Sequence, residues 1–222
     1  MSQLLEEREY YKPFVYPWAF EFYKRQQQMH WLPDEVPLQD DIKDYREKLT
    51  PDNRLLLDNI FKFFTQADVD VCCGYAKHYL PTFKQPEVRM MLVSYAAMEA
   101  VHQEAYSLLL ETLGKSDDQY QEFMDIQEMV EKHEYLTDFN MNSPHEMAKT
   151  MAVYSGFTEG VQLFSSFAIL LNYPRHNLMK GMGQIVTWSI RDESLHVEGL
   201  SKLFRTFIAE NPDIWNDRLK YE

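Results

Sequence analysis

Residues 99–106 read Glu99-Ala-Val-His102-Gln-Glu-Ala-Tyr106, and residues 191–196 read Arg191-Asp-Glu193-Ser-Leu-His196. Both carry Glu-x-x-His in the middle of a long helical stretch. Positions i and i+3 share a helix face, so each stretch aims a carboxylate and an imidazole in one direction. One such pair arises readily by chance. A Glu-x-x-His on each of two helices, joined by one carboxylate from each of two more, is the ligand set of carboxylate-bridged dimetal bundles. The expected fold is all-α, with long antiparallel helices around a buried dimetal site.

The punctuation of the chain sets the helix limits. Thr50-Pro51-Asp52 gives an N-cap, a proline at the first position and an acid in the first turn, which predicts a helix to about Tyr79, before Pro81. A second runs from Gln85-Pro86-Glu87 to Gly114, a C-terminal glycine. A third, shorter helix is expected near Ser116–Lys132. Ser143-Pro144-His145-Glu146 opens another, which reaches about Leu171 before Asn172-Tyr173-Pro174. The next spans about Pro174 to Ala209, and Asn211-Pro212-Asp213 opens a last short one. Four of these are about 25–35 residues long, against an average of ~11–12, which indicates a bundle. Residues 1–49 hold Pro13, Pro17, Pro33 and Pro37 among many aromatics and read as an arm with one short helix near 18–29. The expected organisation is one domain: the arm 1–49, a ligand-bearing bundle 50–210 and a short segment 211–222.

The other two ligand helices must each supply an acid. Helix 51–79 offers Asp68 and Asp70, whose i+2 spacing puts them on different faces, so only one is a ligand. Helix 144–171 offers Glu159 in its interior. From the opening prolines, Asp68 is 17 residues in, Glu99 13, Glu159 15 and Glu193 19. At 1.5 Å per residue these depths are ~20–29 Å, mid-height in such a bundle. Val153, Phe157, Leu163, Phe164 and Phe167 flank Glu159, and Trp188, Ile190 and Leu195 flank Glu193. Carboxylates among such neighbours need a cation or a proton. Four carboxylates and two neutral imidazoles neutralise two divalent ions, and mixed oxygen and nitrogen donors suit Fe or Mn.

Composition excludes much else. The chain has 222 residues, 35 acids against 22 Lys and Arg, and a formal net charge of −13. That balance argues against a nucleic-acid partner. Only 7 glycines are present, and no glycine-rich nucleotide loop. No apolar run of the length of a membrane span and no signal peptide is seen, so a soluble cytoplasmic protein without a membrane partner is expected. Cys72 and Cys73 read as buried thiols in a reducing compartment. His78, His133, His145 and His176 read as surface or cap residues, and the acidic segment 117–138 as a solvated helix face.

From about Tyr11 to Leu203 these motifs resemble the radical-generating small subunit of class I ribonucleotide reductase. The separation of 31 residues from Asp68 to Glu99 matches that family and selects Asp68 over Asp70. Glu-x-x-His-x-x-x-Tyr matches residues 99–106, Arg-Asp-Glu-x-x-His matches 191–196, and His30-Trp31-Leu-Pro-Asp-Glu-Val-Pro-Leu is similar to the family's tryptophan segment. The resemblance implies a ferritin-like bundle with Asp68, Glu99, His102, Glu159, Glu193 and His196 as metal ligands. It implies a radical on Tyr106, in a dry pocket built partly by Leu163 and Phe167. It also implies an electron and proton relay through Trp31, Asp192 and His102. A di-iron centre leads, with Mn/Mn and Mn/Fe served by the same ligands. The implied protein is a homodimer that passes its oxidising equivalent to a separate, larger catalytic subunit making deoxyribonucleotides; the oxidant and any activase protein stay open. A ferritin-like oxygenase or oxidase is the alternative, though related oxygenases present Glu at the first ligand position. An iron-storage bundle is a third reading. Only 26 residues follow His196, where the family continues into further helices and a tail with a relay tyrosine. The chain is therefore expected to be minimal, one half of a split subunit or truncated. Met1 reads as a natural start and the six ligands are all present, so an intact metal site is expected, while Tyr221 reads as an ordinary terminal residue before it reads as a substitute for that tyrosine.

Overall fold

The computed structural model describes residues 2–222. Its helices are α1 (Pro17–Gln28), α2 (Gln39–Lys43), α3 (Pro51–Gly74), α4 (Pro86–Leu113), α5 (Gln127–Thr137), α6 (Pro144–Ala152), α7 (Lys180–Glu210) and α8 (Asp217–Tyr221). Among the described residues there is no strand. None of these helices is long and apolar enough to cross a membrane. The helices α3, α4 and α7, with α6 and its continuation to Leu170, form the ferritin-like bundle, and α1 lies against α4 and α7.

Two predicted caps form as expected. The Thr50 hydroxyl accepts the Asn53 N–H at 3.2 Å, and the Ser143 hydroxyl accepts that of Glu146 at 3.2 Å. Gly114 closes α4 at φ 82°, where a side chain would be strained. Other boundaries differ from the sequence reading. α3 continues through a π-helical turn, Tyr75–Tyr79, into Leu80–Thr82, so Pro81 lies in its last turn and the helix ends one residue later. The expected helix at Ser116–Lys132 is instead two 3-10 turns, Asp117–Tyr120 and Glu122–Asp125, followed by α5. Neither turn fully buries a residue, and Tyr120 packs only partly against the core, too little apolar contact to hold that acidic stretch as a helix face. α6 widens into a π-helical stretch, Val153–Gln162, before resuming as Leu163–Leu170.

The last ligand helix starts at Lys180, not Pro174. Asn177 and Met179 take positive φ values of 62° and 51° and break the chain from the short turn Asn172–Arg175. Carboxylates from the arm then cap the new start. Asp41 accepts the N–H groups of Gly181 at 3.0 Å and Met182 at 2.6 Å, and Asp44 accepts that of Met179 at 2.8 Å. Negative charge at a helix N-terminus meets unpaired N–H donors and the positive end of the dipole. Asp41 is fully buried, and burial pushes its carboxyl up against the pull of those two donors. Asp41→Ala strands two buried N–H groups and is expected to cost about 2–4 kcal/mol. At roughly 2–4 °C per kcal/mol in a chain of this size, calorimetry would read a clear fall in Tm. Asp41→Asn keeps one acceptor and loses less; equal Tm values for all three proteins would refute the cap.

The buried apolar residues fall into two clusters, split at one level of every long helix. One cluster takes Leu57–Ala67 of α3, Met98–Leu113 of α4, Leu163–Leu170 after the π stretch, and Met182–Val186 of α7. The other takes Val71–Phe83, Val88–Tyr95, Ala148–Tyr154 and Leu195–Phe207. Asp68, Glu99, Glu159 and Glu193 sit at or beside the four breaks. The bundle is thus two apolar halves with a polar layer between them.

The arm is more structured than expected, adding α2 and a π-helical turn, Asp44–Lys48. Buried Glu87 anchors it by accepting the N–H groups of Val15 and Tyr16, each at 2.7 Å. Three smaller expectations are corrected. His78 is 4% exposed, not a surface residue, and burial lowers its pKa. Cys73 is exposed and Cys72 half-buried, because their helix turns one edge to solvent. Phe157 is 66% exposed, since the wide helix carries it outward while Glu159 faces in.

Candidate metal centre

Each ligand position expected from the sequence lands in the polar layer. Asp68, Glu99, His102, Glu159, Glu193 and His196 are all at most 2% exposed. One ligand atom from each of Glu99, Glu159, Glu193 and His196 lies within 4.8 Å of the other three.

The two central carboxylates each face both imidazoles. Glu99 places Oε2 3.5 Å from His102 Nδ1 and Oε1 2.9 Å from His196 Nδ1. Glu193 places Oε1 3.0 Å from His102 Nδ1 and Oε2 3.2 Å from His196 Nδ1. Carboxylates disposed this way can bridge two ions, one on each histidine's side. Asp68 falls on the His102 side and Glu159 on the His196 side, each feeling that imidazole as its main neutralising charge.

The donor atoms are poorly satisfied by one another. Asp68 Oδ2, both oxygens of Glu99 and of Glu193, Glu159 Oε2 and His196 Nδ1 are buried without a directed hydrogen bond. The contacts of 2.9 Å and 3.2 Å at His196 are close approaches whose direction does not suit a hydrogen bond. Leaving so many buried polar atoms unpaired costs far too much without a cation among them. The residues therefore fit a pair of divalent ions, with oxygen and nitrogen donors only.

Charge tells the same story. Burial pushes Asp68 and Glu159 well up, and the neighbouring carboxylates add to it. Burial would also raise Glu193, but His196 and His102 outweigh it and hold Glu193 down at about 2. Against the effect of burial, Glu193 and Glu99 lift His196 to about 10, and Asp192, Glu193 and Glu99 lift His102 well above its usual value. In the metal-free fold these shifts favour protons on the imidazoles and on Asp68 and Glu159.

Behind the ligands, a second ring of groups fixes the imidazoles. His102 Nε2 lies 3.3 Å from Asp192 Oδ2, and Trp31 Nε1 donates to the same oxygen at 2.8 Å. His196 Nε2 lies 3.1 Å from Gln26 Oε1, whose amide donates to Asp192 Oδ1 at 3.4 Å. With Nε2–H directed outward, each Nδ1 lone pair points at the centre. Trp31, at 2% exposure, and Gln26 both come from the arm, so the arm completes the site. Gln26 escaped the sequence reading. Its signal is a polar residue on the stripe Ala19, Phe22, Gln26 that α1 buries.

Tyrosines stand on opposite sides. Tyr106 is 1% exposed and its hydroxyl lies 3.5 Å from Ser189 Oγ. Phe64 stacks on its ring at 4.8 Å and on Phe167 at 5.0 Å, so the expected dry pocket holds Phe64 as well. Burial, then the charge of Asp68, push the Tyr106 pKa up and keep the phenol neutral. Across the centre, Tyr75 donates to Glu159 Oε1 at 2.6 Å. The Tyr95 ring lies 4.3 Å from that of His196, and a Cβ at Gly199 would come within 2.2 Å of the Tyr95 hydroxyl, so only glycine allows this approach. Asp70, deselected as a ligand, is buried and accepts from the Gln66 amide at 2.7 Å, with His133 Nδ1 at 2.8 Å.

Known proteins are similar to this chain in sequence and fold. A "Probable ribonucleoside-diphosphate reductase small subunit" of Invertebrate iridescent virus 6 is 48% identical over 223 residues, covering 94% of this chain and 62% of that protein. The chain thus spans about three fifths of the length of such curated relatives. Among solved structures, a ribonucleotide reductase subunit from Clostridium botulinum superposes with a TM-score of 0.86 at 23% identity, covering 93% of this chain and 67% of that one. A ligand-binding oxidase from Sulfolobus acidocaldarius gives 0.69 at 23% identity, covering 88% and 75%. At those identities the two structures speak for the fold. The family model for the ribonucleotide reductase small chain matches residues 8–222, and the chain belongs to that family.

Proposed function

We propose that this chain holds a dinuclear iron centre on Asp68, Glu99, His102, Glu159, Glu193 and His196 and works as the radical-generating subunit of a ribonucleoside-diphosphate reductase. A dimanganese or mixed centre suits the same donors. Bound, the metal pair supplies one-electron oxidising power drawn from an external oxidant. Tyr106 is the residue that keeps the radical, in a pocket closed by Phe64 and Phe167. The observation that carries the reading is the unbroken link from Trp31 through Asp192 to His102, at 2.8 Å and 3.3 Å. An iron store has no use for an indole wired to a ligand histidine. Asp192 orients both partners by accepting the Trp31 and His102 N–H groups on one carboxylate oxygen, while the arm keeps Trp31 out of water. The partner is a separate, larger catalytic subunit that receives the oxidising equivalent; a homodimer of this chain completes the assembly.

The test is electron paramagnetic resonance on protein loaded anaerobically with Fe(II) and then given oxygen. A long-lived tyrosyl signal is expected, and Tyr106→Phe removes it. Ribonucleotide reduction with an added catalytic subunit should fall at least ~100-fold in the same variant, about 2.7 kcal/mol of barrier. Bound iron with no long-lived radical in the unaltered protein would point to an oxidase or a store instead.

A further inference from the structure

Tyr75 stands in a position unlike that of any other tyrosine here. Its hydroxyl donates to Glu159 Oε1 at 2.6 Å while Glu159 Oε2 is left without a partner, free for an ion. The bond therefore joins a fully buried phenol directly to a candidate metal ligand, on the face of the centre away from Tyr106. A neutral tyrosyl radical forms only when the phenol loses an electron and a proton together. The proton leaves most directly where an acceptor already lies within about 2.6–3.2 Å; elsewhere an acceptor must first move into reach. Tyr75 has one. Tyr79, whose ring is 5.6 Å from that of Tyr75, does not: its hydroxyl is buried with no hydrogen-bond partner. Tyr106 has only the Ser189 hydroxyl at 3.5 Å.

We infer that Tyr75 is a second redox-active tyrosine, an overflow donor that reduces the oxidised metal pair when Tyr106 cannot. The inference rests on the radical-generating reading above. In the step, the Tyr75 O–H bond breaks. One electron passes to the metal pair, which is reduced by one, and the proton passes to Glu159 Oε1, where a new O–H bond forms. The electron acceptor is the metal pair already oxidised by the external oxidant (dioxygen in the test below), so the step needs no further reactant. The hole stops at Tyr75, because neither neighbouring ring meets a base: the Tyr79 hydroxyl has no partner and the Tyr95 hydroxyl reaches only the Leu195 carbonyl, at 3.1 Å. The proton stays one hydrogen bond away and returns readily, so the Tyr75 radical is short-lived, whereas Tyr106 sits among phenylalanines with no nearby carboxylate bond.

Rapid freeze-quench paramagnetic resonance on Fe(II)-loaded protein mixed with oxygen decides this, with ring-deuterated tyrosine to identify the radical. In Tyr106→Phe, a transient tyrosyl signal is expected that narrows on deuteration and decays. Adding Tyr75→Phe should abolish it, while adding Tyr79→Phe should leave it intact. Bound iron, measured on each variant, and the circular dichroism spectrum check that Tyr75→Phe still folds and loads. Absence of any transient in Tyr106→Phe, beside a radical in the unaltered protein, overturns the inference and spares the function. Survival of the transient without Tyr75, or its loss with Tyr79→Phe, also overturns it. A loaded but radical-free unaltered protein overturns both.

Discussion

Glu159→Gln is expected to cost the protein one bound metal ion per chain while leaving the metal-free fold about as stable as before. In the metal-free protein, burial drives the Glu159 carboxyl well above its usual range, which favours its neutral form. Glutamine has the same shape, and its amide oxygen can still accept the Tyr75 hydroxyl that Glu159 Oε1 accepts at 2.6 Å. The metal-free Tm should therefore stay within the range of one lost hydrogen bond, about 1 kcal/mol. Loading differs. The side of the centre beside His196 would lose the negative charge of Glu159, and a neutral amide attracts a dication far less than a carboxylate does. An ion at 100 times its Kd stabilises a fold by ~2.7 kcal/mol, which at 2–4 °C per kcal/mol is roughly 5–10 °C. That increment should vanish from scans with and without Mn(II), and metal analysis should read one ion fewer. If the variant loads like the unaltered protein, Glu159 is not a ligand. If it fails to fold, the carboxyl is structural.

Much of this site was legible in the sequence, because a helix converts spacing into direction. Glu99 with His102, and Glu193 with His196, share faces by arithmetic alone, and the depths of Asp68 and Glu159 needed only the helix starts. The start of α7 was misplaced, since Asn177 and Met179 break the chain for reasons supplied from far away by Asp41 and Asp44. With the helix begun at Lys180, Glu193 lies thirteen residues in, as Glu99 does from Pro86, so the correction brings the two motifs to the same depth. The π stretch around Glu159 was invisible, because one extra residue per turn leaves no mark in composition. Gln26 and Tyr75 were missed for a common cause. Each meets its partner across helices, and spacing within one helix says nothing about that.

Metal-induced stabilisation should grow as pH rises from about 6 to 9, which follows from the protons that hold the metal-free site together. His196 rises from its ordinary 6.5 to about 10 in the metal-free fold. Its contribution to stability is full below 6.5 and is lost as pH climbs through about 10. Glu193, held down at about 2 from 4.5, contributes fully above 4.5 and loses that only in strong acid. Asp68 and Glu159, pushed well up by burial, weaken the metal-free fold once pH exceeds the ordinary carboxylate range. Three of these four groups therefore act against the metal-free protein on the alkaline side. Bound dications relieve all three, since they need both imidazoles neutral and the carboxylates ionised. The gap in Tm between loaded and metal-free protein should widen with pH, and loading should release protons. Each proton displaced strengthens binding about tenfold per pH unit, or ~1.4 kcal/mol. Titration calorimetry with Mn(II) at one pH, in two buffers of different ionisation heat, counts those protons directly. At least one per ion is expected at neutral pH, from the imidazole alone. A count of zero, with a Tm gap flat across pH, would mean that His102 and His196 are not ligands and that the centre has been misread.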